Sequence, residues 1–144
     1  MPFEQQIASS KSFQNLEDRD KRFCRLLITE VIRHHGQIDF ILKKFLKQGI
    51  PRSHINFHNI LRMGVAELLF IKSTKYAAIN DAVELVKLKV SQAKTGVVNA
   101  VLRRIDKESE VLIIQTSNSH NFPKWLLDDW KKNWGEAIVK SIID

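Results

Sequence analysis

Between residues 53 and 71, Phe57, Ile60, Leu61, Gly64, Val65, Leu68 and Leu69 fall at i, i+3, i+4, i+7, i+8, i+11 and i+12. That period lines up one face of an α-helix, whereas on a strand the same residues would scatter over both faces. The stripe is unbroken over its whole length, which requires a long amphipathic helix with one buried side. Glycine lowers helix propensity, so Gly64 on the stripe implies close contact with another helix. Gly and Pro together make up 8 of the 144 residues. That is about half an average share, and the scarcity of turn-formers favours long helices elsewhere too.

The same period recurs along the chain. Residues 3–9 suggest a short helix. Asp18 is the expected N-cap of a helix over 19–35, with Phe23, Leu26, Leu27 and Val31 on its apolar face and Gly36 as its stop. Ile38, Ile41, Leu42, Phe45 and Leu46 predict a helix over 37–48, broken by Gly49-Ile50-Pro51. After a link at 73–75, Ile79, Ala82, Val83, Val86 and Val90 share one face of 76–90. Past a polar break at 91–95, Val97, Val98, Val101, Leu102 and Ile105 form another stripe. Residues 111–114 (VLII) suit a helix tail, a loop or a strand equally. The stretch 116–121 has linker composition, and Pro123 opens a last helical region over 123–143, interrupted near Gly135. The expected architecture is all-α, a bundle of about six to seven helices.

A chain of 144 residues fits one ordinary domain and can bury a core without staples. The single Cys24 excludes an internal disulfide framework and a cysteine-cluster zinc site, and between Phe23 and Leu26 it reads as a half-buried, inert thiol. No run reaches the roughly 20 apolar residues that span a bilayer, and residues 1–20 hold no signal-peptide core, so a cytoplasmic location is expected. The five glycines are too scattered to cradle a nucleotide phosphate. His54 and His58 lie at i and i+4, the spacing of two metal ligands on one helix, but with no third ligand evident they read as solvent-exposed. His34 and His35 suit a helix C-terminus, where an imidazolium meets the helix dipole. Glu67 and Glu84 read as polar edges of their helices. No catalytic residue, cofactor or metal is assigned.

The net charge of +7 is uneven. Residues 18–107 hold 18 basic against 8 acidic side chains, while 108–144 are mildly acidic. Such a basic region suits a polyanion, most often nucleic acid, or else is a solvated face. Arg22, Arg25, Thr29 and Arg33 recur at i, i+3, i+7 and i+11, opposite the apolar face of their helix. Lys43 and Lys44 (with Lys47) follow on the next helix, and Arg103, Arg104 and Lys107 end the sixth. Arginine forks suit phosphate oxygens, and each neutralised phosphate releases counterions. These stripes contain little aromatic interleaving, so base stacking is not signalled by them.

Three stretches carry a resemblance: DRDKRFCRLLITEVIRHHGQID (18–39), INFHNILRMGVAELLFIKSTKYAAINDAVELVKLKV (55–90) and GVVNAVLRRI (96–105). With "LRMGVAELLF", "AAINDAVEL" and "VNAVLRR" as its marks, the chain resembles the NusB-like helical domain. That domain stands alone in NusB antitermination factors and forms the N-terminal module of the RsmB/Sun/Fmu rRNA cytosine-C5 methyltransferases. "DRDKRF", "VNAVLRR" and the Trp-rich "FPKWLLDDWKKNWG" (122–135) are similar to the methyltransferase branch. The resemblance implies a NusB-like domain over 1–107, lacking the family's first helix, then a linker and the opening of a methyltransferase module over 108–144. It implies packing or capping roles for Asn80, Glu84 and Asn99. The family's two active-site cysteines and S-adenosylmethionine pocket have no counterpart here, so no enzyme activity is expected of the chain on its own.

Three functions follow as expectations. The first is an RNA-binding, rRNA-recognising domain of the methyltransferase type without its catalytic half, which a separate methyltransferase half would complete. The second is a NusB-type antitermination factor that binds RNA with a small ribosomal protein. The third is a protein-interaction bundle with no RNA role, in which the surface left by the absent first helix recruits partners or a second copy. A membrane partner is not expected.

Overall fold

The computed structural model describes residues 3–144. Its helices are α1 (Phe3–Ser9), α2 (Lys11–Gln14), α3 (Asp18–Arg33), α4 (His35–Phe45), α5 (Ile55–Ala66), α6 (Lys75–Lys89), α7 (Thr95–Lys107), α8 (Ser109–Gln115), α9 (Lys124–Trp134) and α10 (Glu136–Ile143). A π-helical turn, Glu67–Ile71, continues α5, and short 3-10 turns lie at Arg52–His54, Gln92–Lys94 and Asn118–Asn121. Among the described residues there is no strand, and no helix is long and apolar enough to cross a membrane. The all-α architecture is therefore as expected, with more and shorter helices. The segment 109–115 is helical, residues 11–14 add a turn, and the last region divides in two at Gly135. Gly135 has φ +83°, a backbone state that side chains disfavour.

Helix α5 is the hub, packing against α3, α4, α6 and α7. Its Leu61, Val65 and Ala66 are fully enclosed. They meet Ile38 and Ile41 of α4, Val86 of α6 and Val98, Leu102 and Ile105 of α7, all equally inaccessible. Burying one such aliphatic side chain contributes about 1.5–3 kcal/mol. At Gly64 α7 lies tight against α5: a Cβ there would lie 2.7 Å from Leu102 Cδ1. The expectation of close helix contact at Gly64 therefore holds. The main core reaches Leu112 of α8, while Ile7 and Phe13 near the N-terminus, and Leu127 and Val139 near the C-terminus, are buried outside it.

Four local expectations change. Glu17, not Asp18, is the N-cap of α3, and Asp18 is its first helical residue. Helix α3 stops at His34, and Gly36 lies inside the first turn of α4. Gly36 serves another purpose: a Cβ on it would overlap the backbone carbonyl of His120. Of the apolar face read on α3, only Leu27 is buried, Val31 is half-covered, and Phe23 and Leu26 remain 40% and 45% exposed. Finally, the linker-like stretch 116–121 is docked. The Gln37 amide N–H donates to Asn121 Oδ1 (2.9 Å), Asn121 Nδ2 donates to Gln37 Oε1 (2.8 Å), and Gln37 Nε2 donates to Thr116 Oγ1 (3.3 Å).

Gly36 is thus required for backbone approach. Gly36→Ala is expected to displace the 118–121 turn and break its bonds to Gln37, a loss of about 2–4 kcal/mol. Urea denaturation reads the loss, and amide exchange should quicken at 117–122. Unchanged stability would refute this account of the docking.

Candidate nucleic-acid interface

The eight cations singled out in the sequence are all exposed, and the fold distributes them over three places. On α3, Arg22 stands in solvent, and the Arg25 guanidinium lies 5.1 Å from the Phe13 ring centre. Arg33 is paired with Glu30 (3.1 Å), so part of its charge is already answered, and Thr29 between them is half-buried. The stripe exists because i, i+3, i+7 and i+11 repeat on one side of a helix whose opposite side carries Leu27 into the core.

A second group gathers around the aromatic rings of α4. Lys44 Nζ sits 5.0 Å from the Phe40 ring and donates to Gln115 of α8, while Arg104 of α7 lies 5.0 Å over Phe45. The partners of both are neutral. Lys43 borders a hollow of about 220 Å³ beside Asp39 and His58, and Lys107 is exposed at the end of α7. Among the described residues, Arg22, Lys43, Lys44, Arg103, Arg104 and Lys107 make no ion pair with a carboxylate.

Arg103, one residue before Arg104, turns to a different side. With Lys75, Tyr76, Ile79, Asn80, Val83, Thr95, Gly96 and Asn99 it lines a cleft of about 590 Å³ between α6 and α7. Its Nε donates to Asn99 Oδ1 (3.0 Å). This cleft was missed in the sequence because its walls come from segments some 20 residues apart. The available signal was two asparagines in helix interiors, where asparagine is a weak helix former. The expectation of packing or capping roles for Asn80, Glu84 and Asn99 is corrected. None sits at a helix end, Asn80 and Asn99 face the cleft, and Glu84 is exposed beside Lys87.

The NusB family profile matches residues 2–107. The chain belongs to the NusB family. Among curated relatives, ribosomal RNA small subunit methyltransferase B of Klebsiella pneumoniae (strain 342) is 28% identical over 133 residues, 87% of this chain and 31% of that protein. The probable ribosomal RNA small subunit methyltransferase B of Synechocystis sp. is 27% identical over 146 residues, 94% of this chain and 33% of that protein. The Escherichia fergusonii enzyme of the same name is 29% identical over 135 residues, 91% of this chain and 31% of that protein. The NusB-family chain thus spans 31–33% of the length of these relatives. Its most distinctive motifs, "AAINDAVEL" and "VNAVLRR", form the two walls of the cleft.

The remaining polar groups of this NusB-family chain tie helices together. Arg62 of α5 grips Asp39 of α4 with two bonds of 2.8 Å, and His58 adds a contact of 3.2 Å, so His58 is engaged and not solvent-exposed as read from the sequence. Burial alone would raise the Asp39 carboxyl, but the Arg62 hydrogen bonds and charge, aided by His35 and His58, hold it below its usual value. Burial and then the Arg62 charge lower His58 against the pull of Asp39. His54 is exposed, and among the described residues no three His, Cys, Asp or Glu side chains are grouped to hold a metal ion. His34 caps α3 as expected of a helix end, but it bonds Glu30 (3.2 Å) and stacks on Phe70 with ring centres 3.8 Å apart. Cys24 is half-buried, as expected.

Glu67 departs most from expectation. In the sequence it reads as a polar edge, yet only 6% of it is exposed. It follows Ile60 by seven residues and Gly64 by three, so it shares their face, and α6 covers it. The hollow beside it, of about 20 Å³, has room for little more than one water. Burial, with the charge of Asp81 second, pushes its carboxyl up to about 7. Below about pH 4.5 the group is neutral whether folded or unfolded, and stability is unaffected. As pH rises from there towards 7, the unfolded chain ionises while the folded chain resists, and stability falls. Glu67→Gln removes that penalty. It should stabilise the protein by about 2–3 kcal/mol at pH 8 and by nothing at pH 4, read from denaturation at both values. An equal effect at both would show that Glu67 folds in its ionised form.

Proposed function

We propose that this domain binds RNA through the exposed cations of α3, α4 and α7, as the non-catalytic N-terminal part of a ribosomal RNA methyltransferase. The observation that carries this reading is the surplus of charge left unanswered by the fold. Six of the eight cations singled out in the sequence, Arg22, Lys43, Lys44, Arg103, Arg104 and Lys107, have no carboxylate partner among the described residues, while acidic side chains nearby are spent on Glu30–Arg33, Asp39–Arg62 and Lys75–Asp106. Unpaired arginine and lysine in this density suit phosphate oxygens. The relatives named above act, by their names, on ribosomal RNA of the small subunit, and RNA is the polyanion we assign. In this reading the RNA-binding unit ends at Lys107, where the family match ends, with α8 lending Leu112 to its core. The Trp-bearing helix α9 and the following α10, whose Leu127 and Val139 are buried apart from that core, open the next module.

Three to four phosphate contacts to a single strand imply an affinity loss on the order of 20- to 50-fold between 50 and 200 mM salt. Replacing Arg22, Arg25 and Arg33 together by alanine should weaken binding and flatten the salt dependence by about 0.7 in log–log slope for each phosphate contact removed, with an unchanged helical spectrum. Filter binding or fluorescence anisotropy across a salt series measures both. Binding that ignores salt would sink the proposal.

A further inference from the structure

We infer that the cleft between α6 and α7 seats one unpaired base of a bound single-stranded RNA, an inference that rests on the RNA-binding reading above. Several residues that line the cleft are not needed by the fold. Asn80 sits in the interior of α6, is exposed, and has no hydrogen-bond partner among the described residues. Among the described residues the Asn99 side chain makes one hydrogen bond, accepted from Arg103 Nε, so its own NH2 is left to donate elsewhere. Tyr76 opens α6 with 82% of its surface in solvent. Gly96 lies in the first turn of α7, where a Cβ would meet nothing within 4 Å, in contrast to Gly36 and Gly64, which packing demands. Asparagine and glycine lower helix propensity, so each of these choices works against the helices that carry it. All four line the same cleft. Local choices that weaken the fold and converge on one concavity mark a functional site.

Their chemistry specifies the occupant. Ile79 and Val83 give an apolar wall, Gly96 leaves the opposite wall low, and the Tyr76 ring offers a free face for stacking. The carboxamides of Asn80 and Asn99 both donate and accept, as the edge of a base requires. Lys75 and Arg103 stand on the same lining, and Lys75 is held only at 3.9 Å from Asp106, so both are available to the flanking phosphates. A volume of about 590 Å³ lies within the range of small-ligand sites and admits one nucleotide, not a duplex. An apolar peptide side chain would use the wall but leave the carboxamides and cations without partners.

The test uses the full chain and a 5-iodouridine-bearing single-stranded RNA of about 12 nucleotides, within the span that single-strand sites cover. Ultraviolet crosslinking and mass spectrometry should place the crosslink on Tyr76. Tyr76→Ala should weaken binding roughly tenfold with an unchanged salt slope, since stacking is lost and phosphate contacts are kept, while Tyr76→Phe binds like the parent. Asn80→Ala should weaken it as well, and a duplex of the same length should compete poorly. If Tyr76→Ala and Asn80→Ala are folded and bind as tightly as the parent with normal salt dependence, the cleft assignment is overturned and the RNA-binding reading stands. If the parent itself binds no RNA, both fall. A crosslink confined to α3 or α4 also overturns the cleft.

Discussion

The close approach of α5 to α7 at Gly64 is the contact on which the rest of the molecule depends. With no side chain at that position, Leu102 settles against the α5 backbone, and the two helices enclose Leu61, Val65, Val98 and Ile105 between them and their neighbours. Protein interiors tolerate little spare or excess volume, so the separation of these two axes sets where α6, α4 and α3 can lie against α5. The α6–α7 cleft is a consequence of the same arrangement. Helix α6 packs on both α5 and α7, and the cleft opens where α6 and α7 present small or polar residues, Gly96, Asn80 and Asn99, in place of apolar bulk.

Polar contacts then choose among the arrangements that apolar burial would permit. The two-bond grip of Arg62 on Asp39 sets α4 against α5, and the reciprocal bonds of Gln37 and Asn121 clamp a distant segment onto the α3–α4 junction. Such bonds add modest net stability but make any shifted register leave a buried donor or acceptor unsatisfied. Glu67 is the opposite case, a carboxyl covered by α6 and set near Asp81, which the fold tolerates by keeping it protonated further up the pH scale. Its neighbourhood holds too little space for a substrate, so its unusual titration is a matter of packing and not of chemistry.

The functional surface follows from what the fold leaves unpaired. Core-forming stripes occupy one side of α3 and α7, and the opposite sides carry arginines that find aromatic rings or amides more often than carboxylates. That arrangement preserves charge at the surface and also holds it in place, since a guanidinium lying over a ring is more ordered than one free in solvent. Arg103 and Arg104 show how finely this is divided. One residue apart on α7, they turn to different sides, one into the α6–α7 cleft and the other over Phe45 of α4.

Much of this was legible from the residues alone, because apolar period and charge period are local properties. The stripe through Phe57 and Leu69, the reason for Gly64, the break at Gly135 and the basic stripe of α3 all follow from spacing on a helix. The family resemblance was also carried by local motifs, and the match over residues 2–107 agrees with it. What only the tertiary structure decided are relations between segments far apart in the chain. Gly36 reads as a helix stop until the carbonyl of His120, 84 residues on, is found against it. His58 reads as exposed until Asp39 arrives from another helix, and Asn80 and Asn99 read as packing polars until α6 and α7 are seen to part between them. Sequence determined which face of each helix is apolar and which is charged, because that depends on the 3.6-residue period alone. The partner of each face, and the space left between partners, depends on how closely whole helices approach, and only the packed core sets that distance.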